Sequence, residues 1–200
     1  MAEHIKNLHL IPGVSASGKT SMARFLASEI PNAQVVVGYT TRLPRPGEQE
    51  GVDYCFRDLD HFNRVIANRD DNWRSSKIGS HHYYNSDRNT IPNSETTTKI
   101  LPVSYSALNE VLKDYTPLMD NGIITIAPLV ISHEHRNQWL SKVESLRPTR
   151  NLKAELDEQD ALLNNLQFDG IYIPSWEWIT DCENYINLYR AIISTRINSQ

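Results

Sequence analysis

Eight residues, Gly13-Val14-Ser15-Ala16-Ser17-Gly18-Lys19-Thr20, constrain this chain more than any others. Two glycines, a lysine and a threonine stand there at fixed offsets between a short apolar run and a helical repeat. Leu8-His9-Leu10-Ile11 suits a buried strand, and Met22, Phe25, Leu26 and Ile30 recur at helical spacing. Glycine at both ends of the loop lets the backbone curl with its N–H groups pointing inward, and the helix that follows adds the positive end of its dipole. The pattern G-x-x-x-x-G-K-T therefore predicts a cradle for nucleotide phosphates, in which Lys19 reaches the outer phosphates and the Thr20 hydroxyl ligates Mg²⁺.

Alternation of strands and helices organises the remainder. Gln34 to Tyr39 reads as a second strand, Lys99-Ile100-Leu101 as a third, Gly122 to Ala127 as a fourth ending at Pro128, and Ile171-Tyr172-Ile173 as a fifth. Ala107, Leu108, Val111 and Leu112 share a helical face, Ser132 to Gln167 divides into two helices near Arg147-Pro148, and Tyr185 to Ile193 forms a last amphipathic helix. Such alternation implies a parallel sheet covered on both faces. The stretch from Thr40 to about Asp87 breaks the rhythm, because Pro44, Pro46, Gly47 and Gly51 preclude long helices, and it reads as an inserted subdomain.

Two hundred residues suffice for one such domain. Twenty basic and 24 acidic side chains are interspersed, so no basic tract follows a nucleic-acid backbone and nucleic acid is not an expected partner. Cys55 and Cys182 form no C-x-x-C, which fits a reducing compartment. No leader is visible and no apolar run approaches the roughly 20 residues of a membrane span, so the expectation is a soluble cytoplasmic protein. The histidine pairs His81-His82 and His133-x-His135 lack a third ligand and read as surface or hydrogen-bonded groups.

A second constellation follows the first helix: Thr40-Thr41-Arg42-Leu43-Pro44-Arg45-Pro46-Gly47-Glu48, then Gly51-Val52-Asp53-Tyr54-Cys55-Phe56. Arg42 and Arg45 place two guanidinium forks close together, suited to holding a phosphate, with Tyr54 as a further donor. The alternative is that both arginines are solvated or pair with Glu48, Glu50 and Asp53.

With Tyr83-Tyr84-Asn85-Ser86 and Phe168-Asp169-Gly170-Ile171 further on, the chain resembles the guanylate kinase family, strongly from about residue 8 to 60 and more loosely afterwards. The resemblance implies an α/β P-loop kinase fold with a core at about residues 1–38, 88–131 and 156–200. It also implies a monophosphate-binding subdomain at about 39–87 and a lid at about 132–155. ATP and Mg²⁺ would be held by Gly13, Ser15, Ala16, Ser17, Gly18, Lys19, Thr20 and Ser21. The acceptor's phosphate, GMP by preference, would lie on Arg42, Arg45, Tyr54 and Tyr84, with Ser86 at the base. Lys19, Arg42, Arg147 and Arg150 would stabilise the transferring charge, Arg136 and Lys142 being further lid candidates. Such transfer needs two phosphates held in line and their charge neutralised.

Three departures from the family pattern fall on chemistry. Asn72 stands where the family has a guanine-reading glutamate before Trp73, and an amide offers one acceptor and two donors where that edge needs acceptors. The stretch from Trp73 to Tyr83 is also about three residues longer than the family's, which leaves Asp70 or Asp71 as the alternative reader. Pro102 and Ser104 stand where the family has an aspartate pair, and Glu48 is a candidate substitute. Two competing readings follow: a kinase for another phosphomonoester, favoured by Asn72, and a binding module without activity, favoured by the lost aspartates. The intact Gly18-Lys19-Thr20 opposes the second. The sequence leaves the oligomeric state open.

Overall fold

β1 (Asn7–Pro12) is central and buried on both faces: Leu8, Leu10 and Ile11 are essentially inaccessible to solvent. The computed structural model describes residues 7–68, 72–92, 97–108, 111, 124–126, 128–146, 151–166 and 171–173. β2 (Ala33–Val35), β7 (Thr98–Val103) and β8 (Ile124–Ile126) join β1 in the order β2-β7-β1-β8, all parallel. β9 (Leu129–Ile131) pairs in parallel with β10 (Ile171–Ile173), and a parallel bridge from Gly13 to Leu129 ties that pair to the tip of β1. Pro128 thus interrupts a line of strand residues, and the strand expected to end there resumes as β9.

α1 (Lys19–Glu29) starts directly from the loop, with Gly18 as its N-cap at φ 86° and no side-chain cap bond. Its first turn has no acidic residue, so nothing on the helix itself competes for the N-terminal amides. Met22, Ala23 and Leu26 face the sheet, and the helix stops at Ile30 before Pro31. α4 (Arg136–Leu146) buries Trp139 and Val143, and α5 (Leu152–Leu166) buries Leu152, Leu156 and Leu162 in the same core. Asn151 caps α5 by accepting the Ala154 N–H at 3.2 Å. No helix among the described residues is long and apolar enough to cross a membrane.

A second sheet takes up the inserted stretch. β3 (Tyr39–Thr40), β4 (Cys55–Phe56), β5 (Trp73–Ile78) and β6 (His81–Ser86) lie in the order β4-β3-β6-β5. The single strand expected from Gln34 to Tyr39 is divided between the two sheets: Val36 N–H still bonds Ile100 in the core, whereas the Gly38 carbonyl accepts from Cys55. α2 (Leu59–Ala67), capped by Asp58, covers one face of this sheet, and α3 (Asp87–Thr90) leads back towards the core. The two helices flanking residues 147–150 appear as expected, while the helix expected at Tyr185 to Ile193 lies outside the described residues, as do Asp70, Asp71, Arg147 and Arg150.

His9 on β1 is 4% exposed, and burial pushes its pKa from 6.5 down to about 4. The unfolded chain therefore binds a proton that the fold rejects, and stability is lost as pH falls from 6.5 towards 4. Urea midpoints across that interval are expected to fall less in His9→Gln than in the parent chain.

Candidate active site

The cradle at the end of β1 is built by backbone geometry. Ala16 and Gly18 both take positive φ, 57° and 86°, which turns successive peptide groups inward. Gly13 donates its N–H to Val103 at 3.2 Å, and a Cβ placed there would lie 2.6 Å from Ser17 Oγ and 3.2 Å from the Leu129 carbonyl. Gly13→Ala must therefore spread the loop, at about 1–3 kcal/mol. Differential scanning fluorimetry is expected to show that loss together with weakened stabilisation by Mg-ATP.

Lys19 Nζ donates to the Val14 carbonyl at 2.6 Å, holding the ammonium over the loop. The Ser17 hydroxyl is buried without a hydrogen-bond partner. Glu155 on α5 reaches across 140 residues of sequence: it accepts from Ser15 N–H at 2.6 Å and from the Ser15 hydroxyl at 2.9 Å. A carboxylate thus already sits on a loop amide, which shows that the cradle is shaped and polarised to receive an anion. Thr20 and Ser21 are exposed on the first turn of α1 and face the same space.

That space is a cavity of about 770 Å³ running from the loop to the second sheet. At its far end Arg42, 6% exposed, donates to both carboxylate oxygens of Glu48 at 2.6 and 2.7 Å. Its guanidinium lies 5.0 Å from the centre of the Tyr54 ring and 5.4 Å from that of Phe56. Burial works against the Arg42 charge, but hydrogen bonding to Glu48 and the nearby Tyr83 hydroxyl outweigh it and raise the pKa above its usual value. Glu48 also accepts the Arg45 N–H at 2.8 Å and approaches the Arg45 guanidinium at 3.9 Å. Burial opposes the Glu48 charge as well, yet these partners hold its pKa below the usual range. Burial raises the Tyr54 hydroxyl, which stays protonated as a donor.

Of the residues singled out from sequence, Gly13, Ser15, Ala16, Gly18, Lys19, Thr20, Ser21, Arg42, Arg45, Tyr54 and Tyr84 meet in this one cavity. Others stand elsewhere. Asn72 is exposed at φ 46° just before β5 and does not line the wall. Ser86 is buried, does not line the cavity, and accepts the Asn89 N–H at 3.4 Å as the cap of α3. Tyr84 touches the cavity wall, but its hydroxyl lies 2.9 Å from His61 Nδ1 on α2, on the side of the sheet away from Arg42. Glu48 is engaged by the arginines, far from the role of a substitute for the missing aspartates, and Arg136 pairs with Asp160 through both guanidinium ends. Pro102 and Ser104 line the cavity, and the Ser104 hydroxyl accepts the Ala107 N–H at 3.2 Å.

Four cavity residues carried no decisive signal in the sequence. Tyr83 meets Tyr54 edge to face with ring centres 5.8 Å apart. Asn85 flanks Gly38, Arg24 on α1 reaches Asp53 in the loop before β4 at 2.7 Å, and Glu155 belongs to a helix that the sequence linked to no site. Only Tyr83 and Asn85 had a clue, their place in the Tyr-Tyr-Asn-Ser stretch.

The solved guanylate kinase of Anaplasma phagocytophilum superposes with a TM-score of 0.65 over 96% of this chain and 88% of that one at 20% identity, which shows an α/β P-loop kinase fold. Curated guanylate kinases of Chromohalobacter salexigens and Alkalilimnicola ehrlichii are 43% identical over 63 residues and 36% over 75. Those matches take in 32% and 38% of this chain and span only 29% and 37% of the relatives' length. The family model described as guanylate kinase reaches much further, over residues 6–173, and takes in the whole cavity wall. By that extent the chain belongs to the guanylate kinase family.

Proposed function

We propose that this chain transfers the terminal phosphoryl group of ATP to a nucleoside monophosphate, with GMP as the favoured acceptor. One observation carries the reading: a single cavity joins an anion cradle at Gly13 to Ser21 with the cationic wall of Arg42 and Arg45. The loop amides and Lys19 hold the donor phosphates, and the α1 dipole adds to their field. Arg42, kept charged by its surroundings, and Arg45 hold the acceptor phosphate with Tyr54 as a hydroxyl donor. Mg²⁺, when bound, neutralises charge between the donor phosphates, and the exposed Thr20 hydroxyl is the residue that would ligate it. The remaining contribution of the protein is alignment: Arg24 and Asp53 tie α1 to the acceptor loop, so the two halves of the cavity keep one spacing.

Glu155 competes with the donor phosphates for the Ser15 amide. Glu155→Gln removes one negative charge from the cradle and is expected to lower the KM for ATP by roughly fivefold, with the acceptor KM unchanged. Steady-state titration of each substrate against a saturating level of the other measures this.

A second acceptor class is favoured by one observation. Among the described residues, the carboxylates lining the cavity are Glu48, Asp53 and Glu155, all at its phosphate-binding parts, while the β5–β6 wall offers Arg74, Ser75, Ser76, Ile78 and Asn85. A wall of amide and hydroxyls discriminates bases less sharply than a carboxylate. Coupled measurement of ADP release with Mg-ATP and GMP, dGMP, AMP, CMP and UMP decides between them. Activity centred on GMP and dGMP supports the first reading, activity centred on another monophosphate the second, and no release above a Lys19→Ala control overturns both.

A further inference from the structure

The two faces of β6 carry different side chains, and the strand register decides which of them meets the cavity. Tyr39 pairs with Tyr84 and Thr40 with Tyr83, while Arg74 pairs with Asn85 and Trp73 with Ser86. Alternation along the strands therefore puts Trp73, Tyr84 and Ser86 on one face and Arg74, Tyr83 and Asn85 on the other. The first face is covered by α2, although Tyr39, Ser75 and Tyr84 on it also touch the cavity wall. Tyr84 is 3% exposed, its ring meets Phe62 edge to face at 5.2 Å, and its hydroxyl is held by His61. Burial pushes that hydroxyl's pKa up to about 12.

The second face looks at the arginines. Tyr83 sits beside Tyr54 with its hydroxyl close enough to Arg42 to raise the guanidinium pKa. Asn85 lines the cavity next to Gly38, where a Cβ would lie 3.0 Å from its Nδ2, and its Oδ1 is buried without a hydrogen-bond partner.

We propose that the cavity-facing pair Tyr83 and Asn85, one step out of phase with Tyr84 and Ser86, holds the phosphate and the base edge of the acceptor. Tyr84 and Ser86 then serve packing and capping. This inference rests on the phosphotransfer reading above. The Tyr83 hydroxyl donates to a phosphate oxygen already held by Arg42. The Asn85 amide presents one acceptor and one donor group, and so meets either a guanine or an adenine edge, with weaker discrimination than a carboxylate would give.

Four variants test the phase of the strand. Tyr83→Phe is expected to raise the GMP KM roughly tenfold with the ATP KM unchanged, the loss of one charge-assisted hydrogen bond. Tyr84→Phe is expected to lower the melting temperature and leave the GMP KM within about twofold. Asn85→Asp, which replaces the donor by an acceptor, shifts the ratio of kcat/KM for GMP over AMP towards GMP, whereas Ser86→Ala leaves that ratio where it was. An active parent chain in which Tyr84→Phe, and not Tyr83→Phe, raises the GMP KM, or in which Ser86 rather than Asn85 moves the base ratio, overturns the inference alone. A parent chain that releases no ADP with any monophosphate and shows no thermal shift with GMP overturns the phosphotransfer reading and this inference together.

Discussion

Lys19→Ala is expected to lower the rate of ADP release by roughly 10²- to 10³-fold, the usual cost of removing one aimed charge from a water-poor site. The side chain stands over the loop itself. Its ammonium lies 2.6 Å from the Val14 carbonyl inside the loop, and Arg42 stands at the other end of the cavity, beside Glu48. Removing it takes away the hydrogen bond to Val14, worth about 1 kcal/mol, from a half-buried side chain, so the fold survives. A melting curve within a few degrees of the parent, beside a collapsed rate in the coupled assay, is the outcome that fits. Retention of more than a tenth of the rate by a folded Lys19→Ala chain contradicts phosphate binding at this loop.

Glu48→Ala is expected to cost about 2–3 kcal/mol, because it strips the bidentate partner from a guanidinium that is 6% exposed and leaves that charge in a poorly solvated place. For a chain of 200 residues this lowers the melting temperature by roughly 5–10 °C. The same substitution frees the Arg45 N–H and loosens the loop that carries Arg45, so the acceptor KM rises while the ATP KM stays constant. Acid reproduces the effect. The folded pKa of Glu48 lies below 4.5, so its stabilisation is present above that value and is lost as pH falls through the folded pKa. Glu48→Gln is expected to flatten this part of the pH–stability profile, read as melting temperature below pH 4.5.

Local features were legible in the sequence where local physics decides them. Gly13, Gly18, Lys19 and Thr20 lie within one turn of chain, and the apolar spacing on either side allows only a strand before them and a helix after. The pairing of Arg42 and Arg45 with Glu48 stood among the alternatives and is what the structure shows. What stayed hidden depends on contacts between distant parts. The face on which Tyr83 or Tyr84 lies is set by how β6 registers against β3, some 40 residues earlier, as the partnership of Thr40 with Tyr83 shows. Glu155 reaches Ser15 only because α5 packs behind the loop, and nothing near residue 155 announces it. The strand across Pro128 was cut short for a similar reason: proline ends local propensity, but pairing with β10 restores extended chain immediately after it.

Glu155 and Gln159 stand four residues apart on α5, and both grip backbone. Gln159, fully buried, accepts from Ile131 N–H at 2.9 Å and donates to the Ile131 carbonyl at 3.0 Å, taking the part of one more peptide group at the edge of β9. One helical turn away, Glu155 holds the Ser15 amide. The helix is thereby pinned in its own axial register like a key with two teeth, since a slide of a single residue would orphan both polar groups of an amide that has no access to water. Admission of an anion to the loop is then a matter of one carboxylate turning about its own side-chain bonds, with α5 held still.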